Sequence, residues 1–467
     1  MKKLITLLYI LTAFAANAQQ EARNWYFGHN AGISFSTNPP TYLAGGQIYS
    51  DEGCSSISDA NGNLLFYSDG VTAWDRNSNV MPNGSGLFGG SSSTQSCVVV
   101  PLPGSSTMYF LFTPPKQSSV NTAFYYSMVD MTLNNGLGDV INKNDSLFLQ
   151  SAEKITSVRH RNGMDYWVIG HPFNSDQFYT YLITSVGLNT TPVISTAGAF
   201  IGGNIANMIG YLKSSPGGNK IANAIYGDDI LEMLDFNDST GVVSNPLTLA
   251  TWTGQHSSGV YGVEFSPDNS KLYASIITPA SVVQYDLLAG SSSAIIASAT
   301  TIGTSPLNFN GALQNGPDGR MYLTKYGDIS LACITNPNLT GTASNYVENF
   351  VSIAPATGTL GLPNFISTFF HGLNVNTINH DYDYDQVLIS PNPASGVMQI
   401  NLGEINHGDN MQLKIMNSIG ETVYHETISP LSSAKSITVP LQNFQKGIYL
   451  LSLFSNNKTE AKKFLVE

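Results

Sequence analysis

The chain has 467 residues, of which only 11% are charged, and its formal net charge is −12. This length allows two or three domains, or one large repeat domain followed by a small one. The acidic balance argues against a nucleic-acid partner, because Lys and Arg cluster only within the first three residues and a phosphate backbone requires basic patches. Low charge together with 43 glycines, 23 tyrosines and 22 phenylalanines is typical of an all-β extracellular protein with many turns.

The amino terminus has the three parts of a secretory signal peptide. Two lysines follow the first Met, residues 4–15 form an apolar run, and Ala-Asn-Ala at 16–18 fits the small-x-small rule for cleavage. The sequence therefore predicts a signal peptide over residues 1–18 with cleavage between Ala18 and Gln19. A membrane anchor is the alternative, but the run is short for a membrane span. We predict no transmembrane segment in the mature chain.

The mature chain repeats one pattern of short strands. Its clearest copy lies between Tyr261 and Ala289, where Val, Ile, Tyr and Phe form three strands separated by turns of Pro, Asp, Asn and Ser. Such a unit exposes apolar surface on both faces, so it must stack against copies of itself. The innermost strand recurs every 40–60 residues or so, which is about the period of propeller blades. These inner strands are predicted to begin near residues 54, 96, 155, 208, 262, 311 and 364.

The two ends of the repeat region complement each other. Two strands within residues 24–35 lack an inner partner, and an inner strand predicted over Asn364–Phe370 has no outer strands after it. Joining the two ends closes a ring and removes open sheet edges that would invite aggregation. We therefore predict an all-β fold with a seven-bladed β-propeller over residues 19–373. Six or eight blades, or an array of β-sandwiches, are the alternatives.

Three cysteines, Cys54, Cys97 and Cys333, are too few for a disulfide framework. Cys54 and Cys97 occupy similar points of neighbouring repeats, inside apolar strands. Two buried thiols are therefore favoured over a disulfide between these residues.

The composition changes after the repeat region. Residues 374–385 are polar and acidic, which predicts a solvated linker. Three alternating carboxylates in it, Asp381, Asp383 and Asp385, offer calcium binding as an alternative. The last segment, residues 386–467, contains about seven short strands with alternating polarity, and this predicts a small Ig-like β-sandwich.

The last segment also carries several motifs in a fixed order. They are Ser-Pro-Asn-Pro-Ala-Ser-Gly at 390–396, the stretch 411–421, Lys-Gly-Ile-Tyr-Leu-Leu at 446–451 and a final Lys-Lys-Phe-Leu-Val-Glu. With these motifs the segment resembles the C-terminal type A sorting domain of type IX secretion substrates of Bacteroidetes. The resemblance implies recognition by the type IX machinery, passage through the periplasm, and release or attachment at the cell surface. The sorting-signal positions that it assigns are Pro391, Asn392, Pro393, Gly420, Gly447, Tyr449 and Lys463.

The front of the mature chain is similar to large surface propeller proteins of the same bacteria. The similarity lies in residues 24–32, 52–70, 71–84 and 93–100. This similarity implies a surface location and does not indicate any catalysed reaction.

Ligands of propellers commonly bind at the mouth of the central channel, where the inner strands begin. Residues just before the predicted inner strands supply amides, two carboxylates and one imidazole. Such a ring could hold a polyol, a glycan or a hard cation such as calcium. The alternative is that these side chains hydrogen-bond loop backbone and water. The candidates are Glu52, Gln95, Glu153, Asn207, His256, Asn310 (or its neighbour Asn308) and Asn364.

No catalytic motif occurs in the sequence: it has no Gly-x-Ser-x-Gly elbow, no His-Glu-x-x-His and no phosphate-binding loop. We therefore predict no catalytic residue, no metal site and no cofactor, with calcium left open. The first hypothesis is a secreted or cell-surface binding or adhesion protein with an unknown protein or glycan partner. The second is a secreted hydrolase or lyase acting on polysaccharide or a lactone through Glu52, Glu153 and His256. The third is a structural part of the surface or motility apparatus.

Overall fold

The computed structural model describes residues 20–120, 122–252, 258–305, 309–371, 388–401, 411–417, 422–428, 436–442, 444–455 and 458–466. The chain divides into two units, Met1–Asn376 and Thr377–Glu467. The predicted signal peptide and linker lie outside the described residues, and the domain boundaries stay predictions.

Seven antiparallel sheets follow one another in the described part of the first unit. The amino-terminal sheet contains three strands: β1 (Asn24–Phe27), β2 (Ala31–Ser34) and β3 (Thr41–Tyr42). The next three sheets contain β4 (Ser55–Ser58), β5 (Leu64–Ser68), β6 (Thr72–Asp75) and β7 (Val80–Ser85); β8 (Val98–Pro101), β9 (Met108–Thr113), β10 (Phe124–Asp130) and β11 (Asp139–Phe148); and β12 (Ser151–Arg159), β13 (Tyr166–Pro172), β14 (Ser175–Thr184), β15 (Gly187–Leu188) and β16 (Val193–Ile201). The last three contain β17 (Leu212–Ser214), β18 (Lys220–Ile225), β19 (Ile230–Asn237) and β20 (Val242–Thr251); β21 (Ser258–Phe265), β22 (Lys271–Thr278), β23 (Ser281–Asp286) and β24 (Thr300–Thr304); and β25 (Asn310–Asn315), β26 (Met321–Lys325), β27 (Ser330–Ile334) and β28 (Tyr346–Ser352).

Burial falls from the first strand of a sheet to the last. The inner strand β8, Val-Val-Val-Pro, is almost entirely buried, and so is the second strand β13. Strands covered on both faces are expected to be continuously apolar in this way. The outermost strands β7 and β20 alternate between exposed and buried residues, because only one of their faces meets a neighbouring sheet.

The meander of each sheet defines two faces of the ring, since successive antiparallel strands turn back at opposite ends. We call the upper face the one formed by loops that lead into each innermost strand and by loops between second and third strands. In the amino-terminal sheet, which has three strands, we count β1, β2 and β3 as the second, third and fourth strands. The lower face holds the remaining loops and one short helix, α1 (Ser292–Ala297).

The sheets pack side by side through their inner strands: β4 contacts β8, β8 contacts β12, β12 contacts β17, β17 contacts β21, and β21 contacts β25. The ring is closed by the segment that follows β28. Leu360 N donates to Asp51 O (2.9 Å) and Asn364 N donates to Cys54 O (2.8 Å), while Ala312 N of β25 donates to Leu360 O (2.8 Å). A Cβ on Gly361 would lie 1.8 Å from Glu52 O, so only glycine fits at this junction.

This architecture confirms the predicted all-β propeller fold. The seven sheets favour seven blades, and the number of blades stays a prediction. The strand expected over Asn364–Phe370 is wrong, because residues 364–366 belong to no strand and Ser367–Phe370 forms a 3-10 helix. Its apolar residues Phe365, Ile366, Phe369 and Phe370 recur at helical spacing and are all buried.

The second unit consists of two sheets around one core. Its strands are β29 (Leu388–Ser390), β30 (Val397–Asn401), β31 (Met411–Met416), β32 (Thr422–Ile428), β33 (Ser436–Pro440), β34 (Gly447–Ser455) and β35 (Lys458–Val466). One sheet has the order β29-β30-β33 and the other β32-β31-β34-β35. Side chains from both sheets share one apolar cluster that includes Ile400, Val439, Leu413 and Leu451, which is the arrangement of a β-sandwich.

The described residues contain no helix with the length and apolar character that a membrane span requires.

Candidate functional site

Two buried carboxyl groups lie beneath the upper face. Glu52 precedes β4 and Glu153 lies in β12, and their residues are 7% and 1% exposed. Glu52 Oε1 accepts a hydrogen bond from the Tyr261 hydroxyl (2.8 Å), and its Oε2 accepts one from Ser92 Oγ (3.2 Å). Burial and the neighbouring Glu153 carboxylate raise the pKa of Glu52 to about 8. Glu52 therefore keeps its proton at neutral pH.

Glu153 is held by main-chain and side-chain donors from loops of the third sheet, β8–β11. Its Oε2 accepts from Thr94 N (2.9 Å) and Thr94 Oγ1 (2.8 Å), and its Oε1 accepts from Gln117 N. Burial raises the pKa of Glu153, and these hydrogen bonds act in the opposite direction. Both oxygen atoms of this carboxyl group are thus used to fix the loops at Thr94 and Gln117.

Gln95 and Asn364 join sheets that are distant in sequence. Gln95 Oε1 accepts from Leu212 N (2.8 Å) and Ile155 N (3.2 Å), and its Nε2 donates to Leu212 O (3.0 Å) and Asn364 Oδ1 (3.2 Å). Asn364 Nδ2 in turn donates to Cys97 O (3.0 Å). These two amides therefore satisfy backbone groups of the inner strands.

The structure thus brings four predicted site residues into one buried region: Glu52, Gln95, Glu153 and Asn364. Asn207 and Asn310 are also buried, but their amide groups donate hydrogen bonds outside this region. Asn207 Nδ2 donates to Gly202 O (3.0 Å) and Asp228 Oδ2 (2.8 Å), and Asn310 Nδ2 donates to Ser281 O (3.1 Å). His256, Asn308, Ala18 and Gln19 lie outside the described residues, as do the linker carboxylates Asp381, Asp383 and Asp385.

Buried charges outside the predicted set also connect the blades. Lys154 Nζ donates to Ile209 O (3.2 Å), Gly210 O (2.8 Å) and Ala224 O (2.5 Å), and burial lowers its pKa to about 7. Sequence patterns gave no signal for this lysine, because its partners are main-chain carbonyls of another sheet.

A similar pair joins the fifth and sixth sheets. Lys213 Nζ lies 3.4 Å from Glu264 Oε2 and donates to Gln314 Oε1 (2.6 Å). Burial lowers the pKa of Lys213 and raises the pKa of Glu264. Both groups serve contacts between blades and present no free atom to solvent.

Cys54, Cys97 and Cys333 are free, buried thiols. Burial raises the pKa of each thiol.

Within the described part of the chain, no cluster of three or more His, Cys, Asp or Glu side chains has the geometry to hold a metal ion. The turn carboxylate Asp59 accepts from Asn61 N and Asn63 N at 2.9 Å, which is the hydrogen bonding of a tight turn.

The upper face differs from the lower face in its exposed side chains. The four aromatic residues that are strongly exposed in the described part of the first unit all lie on the upper face: Tyr49 (69%), Phe200 (58%), Phe309 (51%) and Tyr326 (44%). The charged residues that are at least partly exposed in the described upper loops are Asp51, Lys116, Asp228 and Asp328. Those of the lower loops are Glu21, Arg23, Asp59, Arg76, Arg161, Asp165, Asp238, Asp268, Asp318 and Arg320.

A shallow cavity of about 240 Å³ opens on the lower face. It is lined by Gln20, Arg23, Phe35, Ser36, Thr37, Asn38, Pro317 and Asp318. Much of this lining is bonded internally, since Arg320 bridges Asn38 (2.6 Å) and Asp318 (2.7 Å).

In the second unit, the predicted sorting-signal positions contribute to the fold of the sandwich. Asn392 Oδ1 accepts from Leu465 N (3.0 Å), and the buried Tyr449 donates from its hydroxyl to Gln445 O (2.8 Å). Pro391 and Pro393 flank Asn392, Gly447 begins β34, and Lys463 lies in β35. Gly420 lies outside the described residues, and the sorting roles of these residues stay predictions.

Comparison with known proteins identifies the second unit. Residues 388–467 match the secretion system C-terminal sorting domain. The chain is therefore a type IX secretion substrate, and it is exported to the cell surface or secreted. No curated protein matches the chain.

Several solved structures are similar to the chain. A putative 6-phosphogluconolactonase from Bacteroides fragilis has 11% identity and a TM-score of 0.46, over 73% of this chain and 96% of that one. Another from Bacteroides uniformis has 14% identity and a TM-score of 0.42, over 71% and 97%. The periplasmic gluconolactonase of Pseudomonas aeruginosa has 10% identity and a TM-score of 0.38, over 79% and 94%. Likenesses at this level carry no argument about what this chain binds or does.

Proposed function

We propose that the protein is a secreted or surface-attached binding module that engages an extracellular glycan or protein through the upper face of its propeller. One observation carries the proposal: the four strongly exposed aromatic residues of the described first unit all lie on that face. Exposed aromatic side chains supply large contact area at low conformational cost, and they are enriched where proteins bind partners.

The burial of the channel residues supports a rigid scaffold. Glu52, Gln95, Glu153 and Asn364 direct their polar atoms at backbone and side-chain partners from several blades. A scaffold fixed in this way holds its loops in place, which reduces the ordering cost of binding.

Depletion from solution tests the proposal. The mature protein, fluorescently labelled, is mixed with washed cells of the producing bacterium and separately with insoluble cellulose, chitin, xylan and mannan. We expect saturable depletion by at least one of these materials without release of soluble sugar. Depletion that rises linearly without saturation on every material would contradict the proposal.

The neighbouring carboxyl groups of Glu52 and Glu153 favour a second candidate function, which is hydrolysis of a polysaccharide or lactone. A protonated Glu52 beside Glu153 has the form of an acid and base pair. If the protein is such a hydrolase, the wild type should release soluble product from these materials, and the Glu153→Gln variant should lose that activity. A wild-type protein that releases no product from the same materials would eliminate it.

A further inference from the structure

Three exposed aromatic residues of the upper face belong to one line of hydrogen-bonded loops. Tyr326 N, at the end of β26, donates to Phe309 O, just before β25 (3.0 Å). Gly327 N, the next residue, donates to Gly358 O (2.9 Å). One residue earlier along that segment, Thr357 O accepts from His29 N (3.0 Å). His29 stacks on Tyr49 with ring centroids 4.0 Å apart and an angle of 5°. We call Tyr49, His29, Tyr326 and Phe309 the aromatic strip.

The end of the strip at Tyr49 is rigid although it is exposed. His29 pairs with both Tyr49 and Thr357 in isolated β-bridges. Gly28 has φ +58°, and a Cβ there would lie 2.7 Å from Thr357 O, so glycine is required for this close approach. Tyr49 therefore presents one ring face to solvent while the stacked His29 holds the other.

A carboxylate beside this platform is open to a ligand. Asp51 Oδ1 lies 3.4 Å from the buried His29 Nε2, and the Asp51 side chain is 57% exposed. A carboxylate held in this position can accept a hydrogen bond from a hydroxyl group of a ligand. Nearer the middle of the strip, the charge of Asp328 is neutralised by Lys325 at 2.7 Å.

Together these features match the chemistry of a sugar chain. The face of a pyranose ring carries weakly positive C–H groups, which pack against the negative face of an aromatic ring, while its hydroxyl groups seek donors and acceptors. An anionic polymer would need several exposed Lys or Arg residues. Lys116 is the exposed basic side chain of the described upper loops, and it belongs to the third sheet.

We propose that the aromatic strip binds a neutral glycan chain, with one sugar stacked on Tyr49 and one of its hydroxyl groups bound by Asp51. This inference rests on the proposed function and names its ligand class. A chain that extends from Tyr49 toward Tyr326 and Phe309 contacts more than one aromatic residue, so longer oligosaccharides bind more tightly than short ones.

Isothermal titration calorimetry of the mature protein tests the proposal. The probes are cellohexaose, laminarihexaose, xylohexaose and mannohexaose, with hexagalacturonate as the anionic control and the trisaccharide of each neutral series as the length control. We expect at least one neutral hexasaccharide to bind more tightly than its trisaccharide and than hexagalacturonate. Tyr49→Ala should weaken that binding about tenfold, the equivalent of one good aromatic contact.

Phe200→Ala is the matched control, because Phe200 is equally exposed on the same face but lies at the end of β16, away from the strip. We expect the affinity of Phe200→Ala for the neutral hexasaccharide to stay within about twofold of the wild-type affinity, since the variant loses no contact of the aromatic strip. All three proteins should share one melting temperature, because both aromatic side chains are exposed.

Three results would overturn the inference: no binding by any neutral hexasaccharide, tighter binding of hexagalacturonate, or equal weakening by Phe200→Ala and Tyr49→Ala. If one of these results occurs and the protein still binds washed cells saturably, the glycan strip is rejected and the proposed binding function is retained. If one of these results occurs and the protein binds neither cells nor any polysaccharide, both the glycan strip and the proposed binding function are rejected.

Discussion

Glu52 is the residue whose chemistry departs furthest from what its sequence position indicates. The sequence makes Glu52 a candidate ligand at the channel mouth, with hydrogen bonding to the loops as the alternative, and the structure buries it between Tyr261 and Ser92. The sequence could place Glu52, Gln95, Glu153 and Asn364 near the channel, because each adjoins a predicted inner strand. It could not supply their partners, since Tyr261 and Glu52 are separated by 209 residues.

The raised pKa of Glu52 makes stability depend on pH. An unfolded Glu52 ionises near pH 4.5, whereas the folded one keeps its proton until about pH 8. The stabilisation is therefore complete below pH 4.5 and is lost as the pH rises to about 8. We expect Glu52→Gln, which cannot ionise, to lose less melting temperature than the wild type between pH 5 and pH 8. Equal losses for the two proteins, measured by differential scanning calorimetry, would contradict this assignment.

Gln95 provides a second test of the buried region. In the Gln95→Ala variant, the buried main-chain groups of Leu212 and Ile155 lose their hydrogen-bond partner. We expect this loss to lower the free energy of unfolding by about 3 kcal/mol. Gln47→Ala is the control, because Gln47 is exposed and its side chain bonds only to the carbonyl of the nearby Gly45 (3.0 Å). Urea unfolding measures both variants, and similar stabilities for the two would show that Gln95 does not tie the blades.

Among the elements, inner strands could be predicted and outer strands could not. Inner strands such as β8 are continuous apolar runs, whereas β7 reads Val-Met-Pro-Asn-Gly-Ser and carries turn residues. The fourth strand of each blade is missing from the sequence prediction for this reason. Its extended conformation comes from pairing with the third strand and not from its own residue pattern. The sequence predicts about seven strands in the sandwich and the structure describes seven, because alternating polarity such as that of β33 follows from packing one face of each sheet on a shared core.

The ring closure is the element on which the propeller depends. Gly361→Ala places a Cβ against Glu52 O, so the segment 360–366 must shift away from β4. We expect a large fall in melting temperature and faster reaction of the buried Cys54 thiol with a thiol reagent. Gly290→Ala is the control, because open space surrounds Gly290 and only its φ of +98° disfavours a side chain, at a cost of about 1 kcal/mol. Slow thiol reaction in both variants would contradict closure by this segment.

For the whole molecule, the sorting domain and the proposed binding face belong to different units. Residues 388–467 form the sorting domain, and the first unit carries the exposed aromatic residues. We expect a chain that ends at residue 385 to be retained in the periplasm of the producing bacterium, while the full chain reaches the surface or the medium. Cell fractionation with an antibody to the propeller measures this, and equal export of the two chains would contradict it.

The sequence predicted the exported propeller but not the proposed binding face. Strand spacing and carboxy-terminal motifs are local signals in the sequence. The pair of Tyr49 and His29 comes close to the pair of Tyr326 and Phe309 only because the ring closes. His29 N and Thr357 O, which link the two pairs, come from opposite ends of the first unit, and no local pattern predicts this contact.

The most direct test of the proposed binding face compares two triple variants. The upper variant combines Tyr49→Ser, Phe200→Ser and Tyr326→Ser, and the lower variant combines Met164→Ser, Val186→Ser and Leu288→Ser, all at exposed positions. Saturation binding to washed cells and to the insoluble polysaccharides is measured for both and for the wild type. The account predicts that the upper variant loses most of its binding and that the lower variant binds like the wild type. Loss confined to the lower variant, or an upper variant that binds as the wild type does, would contradict it.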